Sequence, residues 1–217
     1  MEKLPESLLK IGISACLLGE KVRYDGAHKR HLYITNVMAE QFRFVPVCPE
    51  VELGMGVPRE AVDLWGKPDA PRMVQQHTGE DWTIRMVNYA AKRVRQRDLS
   101  CLRGYIFKED SPSCGLERVR LLSSHGQIKH KGRGLFAMAL TLRFSHLPAI
   151  EAEQLDDVRL RENFLVCVFA YDRLQKLLKG RLNQSRLLQF HMKEKELLRA
   201  NNPNHFRHLE RLMAKAE

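Results

Sequence analysis

Three of the five cysteines in this 217-residue chain stand at, or just beyond, the end of a short apolar run. The runs and their cysteines are 11–15 with Cys16, 44–47 with Cys48, and 105–107 with Cys114. If these runs are neighbouring strands of one parallel sheet, their carboxyl ends meet at the edge where open α/β sheets bind ligands. We therefore predict that three thiols far apart in sequence converge on one site.

The spacing of the cysteines limits the kind of site they can form. The chain contains no CxxC pair, which argues against a zinc ribbon and against a cluster held by one local loop. Thiolates are soft ligands, so three of them suit an iron-sulfur cluster or another soft metal. Three ligands on a cluster of four irons would leave one iron open as a Lewis acid. Cys101 and Cys167 lack this placement, and we interpret them as buried packing residues.

Apolar periodicity predicts an α/β fold for about the first 145 residues, with a Rossmann-like, mainly parallel sheet and flanking helices. The predicted strands are 11–14, 44–47 and 104–108, and the predicted helices are 35–42 and 82–97. In the second helix, the residues that recur at spacings of three and four are Ile84, Val87, Ala91 and Val94. We predict loops at 49–71 and 129–133, and residues 135–142 fit either a helix or a strand.

The spacing of apolar residues in the remainder of the chain predicts a small all-helical C-terminal segment. Residues 145–157 contain Pro148 and four acidic residues, so we place a linker at 148–160 between domains 1–147 and 161–217. The first helical stripe comprises Phe164, Val168, Tyr171, Leu174 and Leu178. Gly180 is a typical helix stop, and Asn202 followed by a proline predicts the start of the third helix.

The net charge of +10 is concentrated in this helical segment. Residues 160–217 carry 12 Lys and Arg against 6 Asp and Glu, whereas 1–159 carry 24 against 20. A positive field is compatible with nucleic acid or anionic substrates and specifies neither. The longest apolar stretch, 134–142, is too short to span a bilayer, and the first residues do not resemble a secretory signal. We therefore expect a cytoplasmic protein.

The loops around the three cysteines contain residue types that shape binding sites. Cys48 lies in VPVCPE, where two prolines fix the backbone and Glu50 follows two residues later. Cys114 lies in SPSCG, which has two hydroxyls and a glycine that allows close approach of a ligand. Cys16 is followed by VRYDG at 22–26.

These motifs resemble the thiouracil desulfurase (TudS) family, long catalogued as a domain of unknown function. The segments ISACLLG, VRYDG, VPVCPEVELGMGVPRE, GEDWT and GYIFKEDSPSCG occur in this order within roughly residues 9–145. The segments LRENFLVCVFAYDRL and FHMKEKELLRANNPNHF resemble the opening of a YbgA-like domain of unknown function, which is often fused behind the first. That second domain is usually longer, so we interpret the helical segment as truncated or reduced.

The resemblance implies a [4Fe-4S] cluster held by Cys16, Cys48 and Cys114, with one iron facing the substrate. It also implies that Glu50 and Ser111 take part in catalysis. The implied activity is non-redox desulfuration of a thiolated nucleobase such as thiouracil, by hydrolysis of the carbon–sulfur bond. The substrate class includes a free base, a nucleoside and a base within RNA.

A mechanism follows from these implied roles. The thiocarbonyl sulfur binds the open iron, while Glu50 acts as a general base on water or as a proton carrier. Ser111 orients the water or contacts the ring. Tyr24, Asp25 and Arg59 are candidate substrate contacts, although an Asp-Gly pair is also typical of a turn.

The alternative is a nucleic-acid-binding protein whose metal or thiols are structural. The cations that would contact phosphate are Arg181, Arg186, Lys193, Lys195, Arg199, Arg207 and Arg211. Binding of this kind weakens steeply with added salt. His205 and His208 lie one helical turn apart, and we interpret them as solvated residues rather than ligands.

Overall fold

The structure is a computed structural model that describes residues 8–123 and 127–214. The strands are β1 Leu9–Ser14, β2 Phe42–Val47, β3 Val62–Lys67, β4 Ala70–Gln75, β5 Gly104–Phe107, β6 Val119–Leu122, β7 Ile128–Gly132 and β8 Ala149–Glu151. The α-helices are α1 Leu32–Asn36, α2 Pro49–Glu52, α3 Thr83–Arg93, α4 Arg97–Ser100, α5 Leu135–Arg143, α6 Val158–Lys179, α7 Gln184–Asn201 and α8 Pro203–Ala214. Short 3-10 helices lie at Ala15–Leu18, Met38–Glu40 and Ala152–Asp156. The chain divides into two compact units at Leu165/Val166.

The first sheet is parallel throughout and has the strand order β2-β1-β5-β8. β1 pairs with β2 along its whole length, and Ile11 to Ile13 pair with the first three residues of β5. The chain goes from β1 to β2 on one side and then returns to β5 on the other. The topological switch point, where such sheets bind ligands, therefore lies between β1 and β5. The predicted Rossmann-like parallel sheet is confirmed.

The predicted linker at 148–160 contains a strand, and the prediction was wrong at that point. β8 pairs with β5, and Ile150 and Glu151 are buried. A three-residue strand is too short to give an apolar run, and its acidic residue is buried because it accepts two backbone hydrogen bonds. Glu151 Oε1 accepts the N–H groups of Leu116 and Glu117 at 2.8 and 3.0 Å. The bounds 1–147 and 161–217, and the assignment of the second segment to a domain family, stay predictions.

A second sheet, of order β4-β3-β6-β7, was not predicted. β3 is antiparallel to β4 and parallel to β6, and β6 is antiparallel to β7. Parts of the predicted loops 49–71 and 129–133 therefore form α2, β3 and β7. The strand signal was weak because β3 buries only Val62 and Leu64 and ends in Gly66 and Lys67. Such a one-sided strand has few apolar residues to recognise.

Helices α3 and α5 pack against both sheets. One core joins them to the parallel sheet, and its members include Val47, Ala90, Tyr105, Phe107 and Phe136. A second core joins them to the other sheet, and its members include Leu64, Met73, Met86, Val119 and Leu135. Residues 135–142, which fitted either a helix or a strand, are helical, and the buried residues of α5 are Leu135, Phe136, Ala137 and Leu140.

The buried stripe of α3 differs from the predicted one. Ile84 is 76% exposed and Val87 is 48% exposed, whereas Met86 and Ala90 are buried. Of the predicted stripe, Val94 is buried. Both sets recur at helical spacing, so the periodicity alone could not distinguish them. The predicted helix 35–42 was also too long. α1 ends at Asn36, and Phe42 begins β2.

The second unit consists of the rest of α6 followed by α7 and α8. α6 ends directly before Gly180, and Asn202 caps α8 by accepting the N–H of His205 at 3.0 Å, both as predicted. Arg173 on α6 donates to the buried carboxylate of Glu194 on α7, with Nη2 2.8 Å from Oε2. His205 and His208 are exposed, as predicted. Among the helices described, none is long and apolar enough to cross a membrane.

Substitution of Gly12 tests the packing of the parallel sheet. A Cβ at this position would lie 2.3 Å from Cδ2 of Tyr105 and 2.7 Å from Cδ1 of Leu102, both buried. We expect Gly12→Ala to lower the free energy of unfolding by about 1–3 kcal/mol because the core is overpacked. The measurement is urea denaturation, with the exposed Arg43→Ala in β2 as the control, which should change stability by less than about 0.5 kcal/mol. Parental stability of Gly12→Ala would contradict this packing.

Candidate metal centre and active site

A cavity of about 590 Å³ opens at the carboxyl edge of the parallel sheet. Its walls come from the residues that follow β1, β2 and β5, and from β3 and β6 of the second sheet. Cys16, Cys48 and Cys114 all line it, together with Glu50 and Ser111. The structure therefore brings the three predicted thiols and both predicted catalytic residues to one place.

Cys16 lies in the 3-10 turn that follows β1. Its carbonyl accepts the N–H groups of Gly19 at 3.2 Å and Lys29 at 2.9 Å. Gly19 has φ +96°, a left-handed conformation that favours glycine. These bonds turn the chain back sharply after β1 and leave the thiol at the cavity wall.

Cys48 is the residue that caps the start of α2. Its carbonyl accepts the N–H of Glu52 at 2.9 Å, which closes the first helical turn. Its thiol donates to the carbonyl of Val22 at 3.7 Å. Pro49 suits the first helical position because its missing N–H would have no partner there. The CPE sequence thus places a thiol and a carboxylate on one short turn.

Cys114 is held by the amino-terminal end of α5. Within the SPSCG turn, Ser111 Oγ accepts the N–H of Cys114 at 3.1 Å. The carbonyls of Pro112 and Ser113 accept N–H groups from the first residues of α5 at 3.0–3.2 Å. The first N–H groups of a helix have no partner within it, so the turn and the helix satisfy one another. Gly134 permits this contact, because a Cβ there would lie 2.4 Å from the Ser113 carbonyl.

Burial is the main reason why the pKa values of all three thiols are raised. Burial, reinforced by Cys48 and opposed by Lys108 and Arg23, raises the pKa of Cys16 to about 11. Burial also raises the pKa of Cys48. The pKa of Cys114 is raised furthest, by burial and then by Cys48, against hydroxyl hydrogen bonds from serines. A cationic metal centre would reverse this balance, because it stabilises thiolates.

The donor set fits a metal cluster better than a single ion. All five cysteines are free, and within residues 8–123 and 127–214 no three His, Cys, Asp or Glu side chains are placed to hold one ion. A cluster offers a separate iron to each thiolate, so its ligands stand further apart than those of one ion. Cys101 and Cys167 do not line the cavity and are half-buried rather than fully buried.

The Glu50 carboxylate is buried between a cation and a hydroxyl. Arg59 binds Oε2 through Nε at 2.8 Å and Nη2 at 2.6 Å, and Ser113 donates to Oε1 at 2.7 Å. Ser113 Oγ also lies 3.1 Å from Ser111 Oγ. A chain of hydrogen bonds through the Ser113 hydroxyl therefore connects Ser111 to Glu50. Ser113 was not predicted as a site residue, although the second hydroxyl of SPSC was the signal for it.

The three predicted substrate contacts are placed differently. Arg59 lines the cavity, but its guanidinium is engaged by Glu50 and by the carbonyls of Val22 and Gly56 at 3.0 and 2.9 Å. Tyr24 lines the cavity and is 44% exposed. Asp25 does not line it and instead accepts the N–H of residue 27 at 3.0 Å in a turn. Substrate contact by Tyr24 and Arg59 stays a prediction.

Comparison with known proteins gives three matches. Residues 11–152 match the model of the 2-thiouracil desulfurase family. The solved structure of a [4Fe-4S]-dependent thiouracil desulfidase, TudS, has a TM-score of 0.55 and 30% identity, covering 70% of this chain and 97% of that one. The uncharacterized protein YbbK of Bacillus subtilis (strain 168) is 32% identical over 108 residues, which are 48% of this chain and 71% of YbbK.

The raised pKa of Cys16 predicts a pH dependence for the metal-free protein. An ordinary thiol pKa is 9.0 and that of Cys16 is about 11, so its thiolate fraction at pH 8 is lower by about a hundredfold. Alkylation of Cys16, followed by mass spectrometry, should therefore be slow at pH 8 and accelerate up to pH about 11. The contribution of protonated Cys16 to the free energy of unfolding is complete below pH 9 and is lost as the pH rises towards 11. A Cys16 that reacts like a free thiol at pH 8 would contradict this environment.

Proposed function

This chain belongs to the 2-thiouracil desulfurase family, and we propose that it hydrolyses the carbon–sulfur bond of a thiolated pyrimidine and releases sulfide. The observation that carries the proposal is the convergence of three free cysteines and Glu50 on one cavity. A volume of about 590 Å³ lies within the usual range of small-molecule sites.

The three cysteines are the proposed ligands of a [4Fe-4S] cluster. The similar desulfidase TudS is [4Fe-4S]-dependent, and Cys16, Cys48 and Cys114 are the cysteines that line the cavity here. When bound, such a cluster supplies an iron without a protein ligand, a thiophilic Lewis acid that polarises a thiocarbonyl group. No side chain needs to change oxidation state.

Glu50 is the proposed proton acceptor for the attacking water. The Arg59 contacts hold the carboxylate in one orientation, and its other oxygen receives the Ser113 hydroxyl. Ser111, whose Oγ lies 3.1 Å from that of Ser113, is the proposed residue that orients the water. A proton then passes from water to Ser111, to Ser113 and on to Glu50. Each serine hydroxyl releases one proton as it receives another.

The atoms balance without a reductant. The water oxygen forms a bond to the ring carbon, and the carbon–sulfur bond breaks with its electron pair on sulfur. The second water proton passes to sulfur as the carbonyl forms, so sulfur leaves as hydrosulfide, and the proton held on Glu50 is released to solvent. The products are the oxygen-containing base and sulfide, so the reaction is a hydrolysis.

Cysteine variants test the ligand set. After anaerobic reconstitution we expect a brown protein with about four irons per chain that releases sulfide from 2-thiouracil. Cys48→Ser should lose most of both the iron and the activity, because a hydroxyl is a poor ligand for iron in place of a soft thiolate. Cys101→Ser is the matched control and should keep both. Equal iron content in the two variants, or a zinc-containing parent protein, would refute the assignment.

A second pair of variants tests Glu50. In cluster-loaded protein, Glu50→Gln should lower kcat for sulfide release by about 10²–10⁴, the usual contribution of a general base. Iron content should be unchanged, because the side chain is not a proposed ligand. The exposed carboxylate of Glu80, paired with Arg85, provides the control Glu80→Gln. Parental turnover by Glu50→Gln would remove this residue from the mechanism.

The nucleic-acid-binding alternative and the cytoplasmic location stay predictions. Six of the seven cations named for phosphate contact are exposed, and Arg186 is half-buried. A base within RNA belongs to the same substrate class. Salt-dependent RNA binding without action on free thiouracil would favour the alternative.

A further inference from the structure

One carboxylate beside the cavity has no role in the proposed reaction. Glu52 lies on α2, two residues after Glu50, and its side chain folds back toward the start of that helix. Its Oε1 accepts the N–H of Cys48 at 3.3 Å. The backbone N–H of Glu52 donates to the carbonyl of Cys48 at 2.9 Å. Both backbone polar groups of this cysteine are therefore bonded to one residue.

The other oxygen of Glu52 is bound from α3. Its Oε2 accepts from Tyr89 Oη at 2.7 Å and from Arg93 Nε at 2.8 Å. Burial and the hydrogen bond to Glu52 raise the pKa of Tyr89, which therefore remains a donor. The Glu52 carboxylate thus receives three donors, two of them from a helix that packs in both cores.

Arg93 is itself held in place. Its Nη1 and Nη2 donate to the two carboxylate oxygens of Asp98 at 2.8 and 2.9 Å, and its side chain is only 8% exposed. A two-pronged arginine–carboxylate pair has a well-defined geometry. The Nε–H that remains is aimed at Glu52. The position of Glu52 is therefore set by Arg93 and Asp98 through fixed bonds.

We propose that Glu52, anchored by Tyr89 and Arg93, is a positioning residue that fixes Cys48 at the cavity for cluster binding. The proposal rests on the proposed function in so far as Cys48 is a cluster ligand. Partners that orient a metal ligand typically alter metal affinity by about 10–100-fold when they are removed. Glu52 acts on the backbone of the cysteine, so it would limit the directions in which the thiol can point.

The charge of Glu52 matters as well as its shape. Each of its three partners is a hydrogen-bond donor, so both side-chain oxygens must accept. In Glu52→Gln one oxygen becomes an NH₂ group, which cannot accept. That group would face either the N–H of Cys48 or the two donors on α3. At least one of the three hydrogen bonds to Glu52 must therefore be lost. The variant therefore tests the network with little change of volume.

The first experiment measures each thiol separately in the full-length, metal-free protein. Alkylation at fixed pH, resolved by mass spectrometry, gives rates for Cys16, Cys48 and Cys114. In Glu52→Gln we expect the rate at Cys48 to rise about tenfold, with the other two within about twofold of the parent. Arg85→Ala, which removes an exposed ion pair on α3, is the control and should leave all three rates unchanged.

Two results would overturn the proposal. One is a parallel rise at all three cysteines, which would mean that Glu52 only stabilises the fold. The other is no change at Cys48. If Glu52→Gln does not fold, Tyr89→Phe removes one donor from the same carboxylate and should give a smaller rise confined to Cys48. Absence of that rise in a folded Tyr89→Phe would count equally against the proposal.

The second experiment uses the cluster-loaded protein. Iron release to a chelator should be about tenfold faster in Glu52→Gln than in the parent or Arg85→Ala, while the metal-free forms melt at similar temperatures. Equal release rates would overturn the role in cluster binding. If the parent binds no cluster and Cys48 alone becomes more reactive, the proposed function fails while the positioning of Cys48 by Glu52 stands.

Discussion

Parallel pairing of β1 with a strand on each side is the constraint on which the rest of this structure depends. Ser14 at the end of β1 is paired with Val47 at the end of β2, so Cys16 and Cys48 follow at the same edge. The end of β5 is tied to β1 as well, because Lys108 N donates to Ser14 Oγ at 3.0 Å. A shift of one residue in either pairing would move the side chains of the shifted strand to the opposite face of the sheet. The convergence of three distant thiols is therefore a consequence of strand register.

The short helix α2 concentrates the polar chemistry of the site. It starts at Cys48 and carries two carboxylates, Glu50 and Glu52, which leave it in different directions. Each is paired with an arginine that is largely removed from water: Arg59 binds the first and Arg93 the second. Burial of an unpaired charge is costly, so each pair requires its partner in place. The proposed catalytic and positioning roles thus belong to one four-residue turn.

The fold was predictable where one strand carried a continuous apolar run. β1 and β5 are largely buried, and the sequence shows this directly as runs of apolar residues. β2 is recognisable from the apolar run 44–47, although Arg43 and Pro46 are exposed. β3 buries only Val62 and Leu64. Both β3 and β7 were interpreted as loops, and β8 was hidden within an acidic segment. In α3 the predicted stripe that begins at Ile84 was wrong for its first three members because two faces satisfied the same spacing. The choice between them depended on which face met the sheets.

The sequence by itself determined which residue types surround the cavity. CPE and SPSCG place a thiol next to a carboxylate or a hydroxyl through local backbone geometry alone, and the strand-then-cysteine pattern indicates their common edge. Only the tertiary structure decided which of these groups contact each other: Ser113 with Glu50, Glu50 with Arg59, and Glu52 with Arg93. The first and last of these contacts join residues 63 and 41 positions apart. They form because two packed cores bring α2, α3 and the SPSCG turn after β5 together, and no local periodicity encodes such distances.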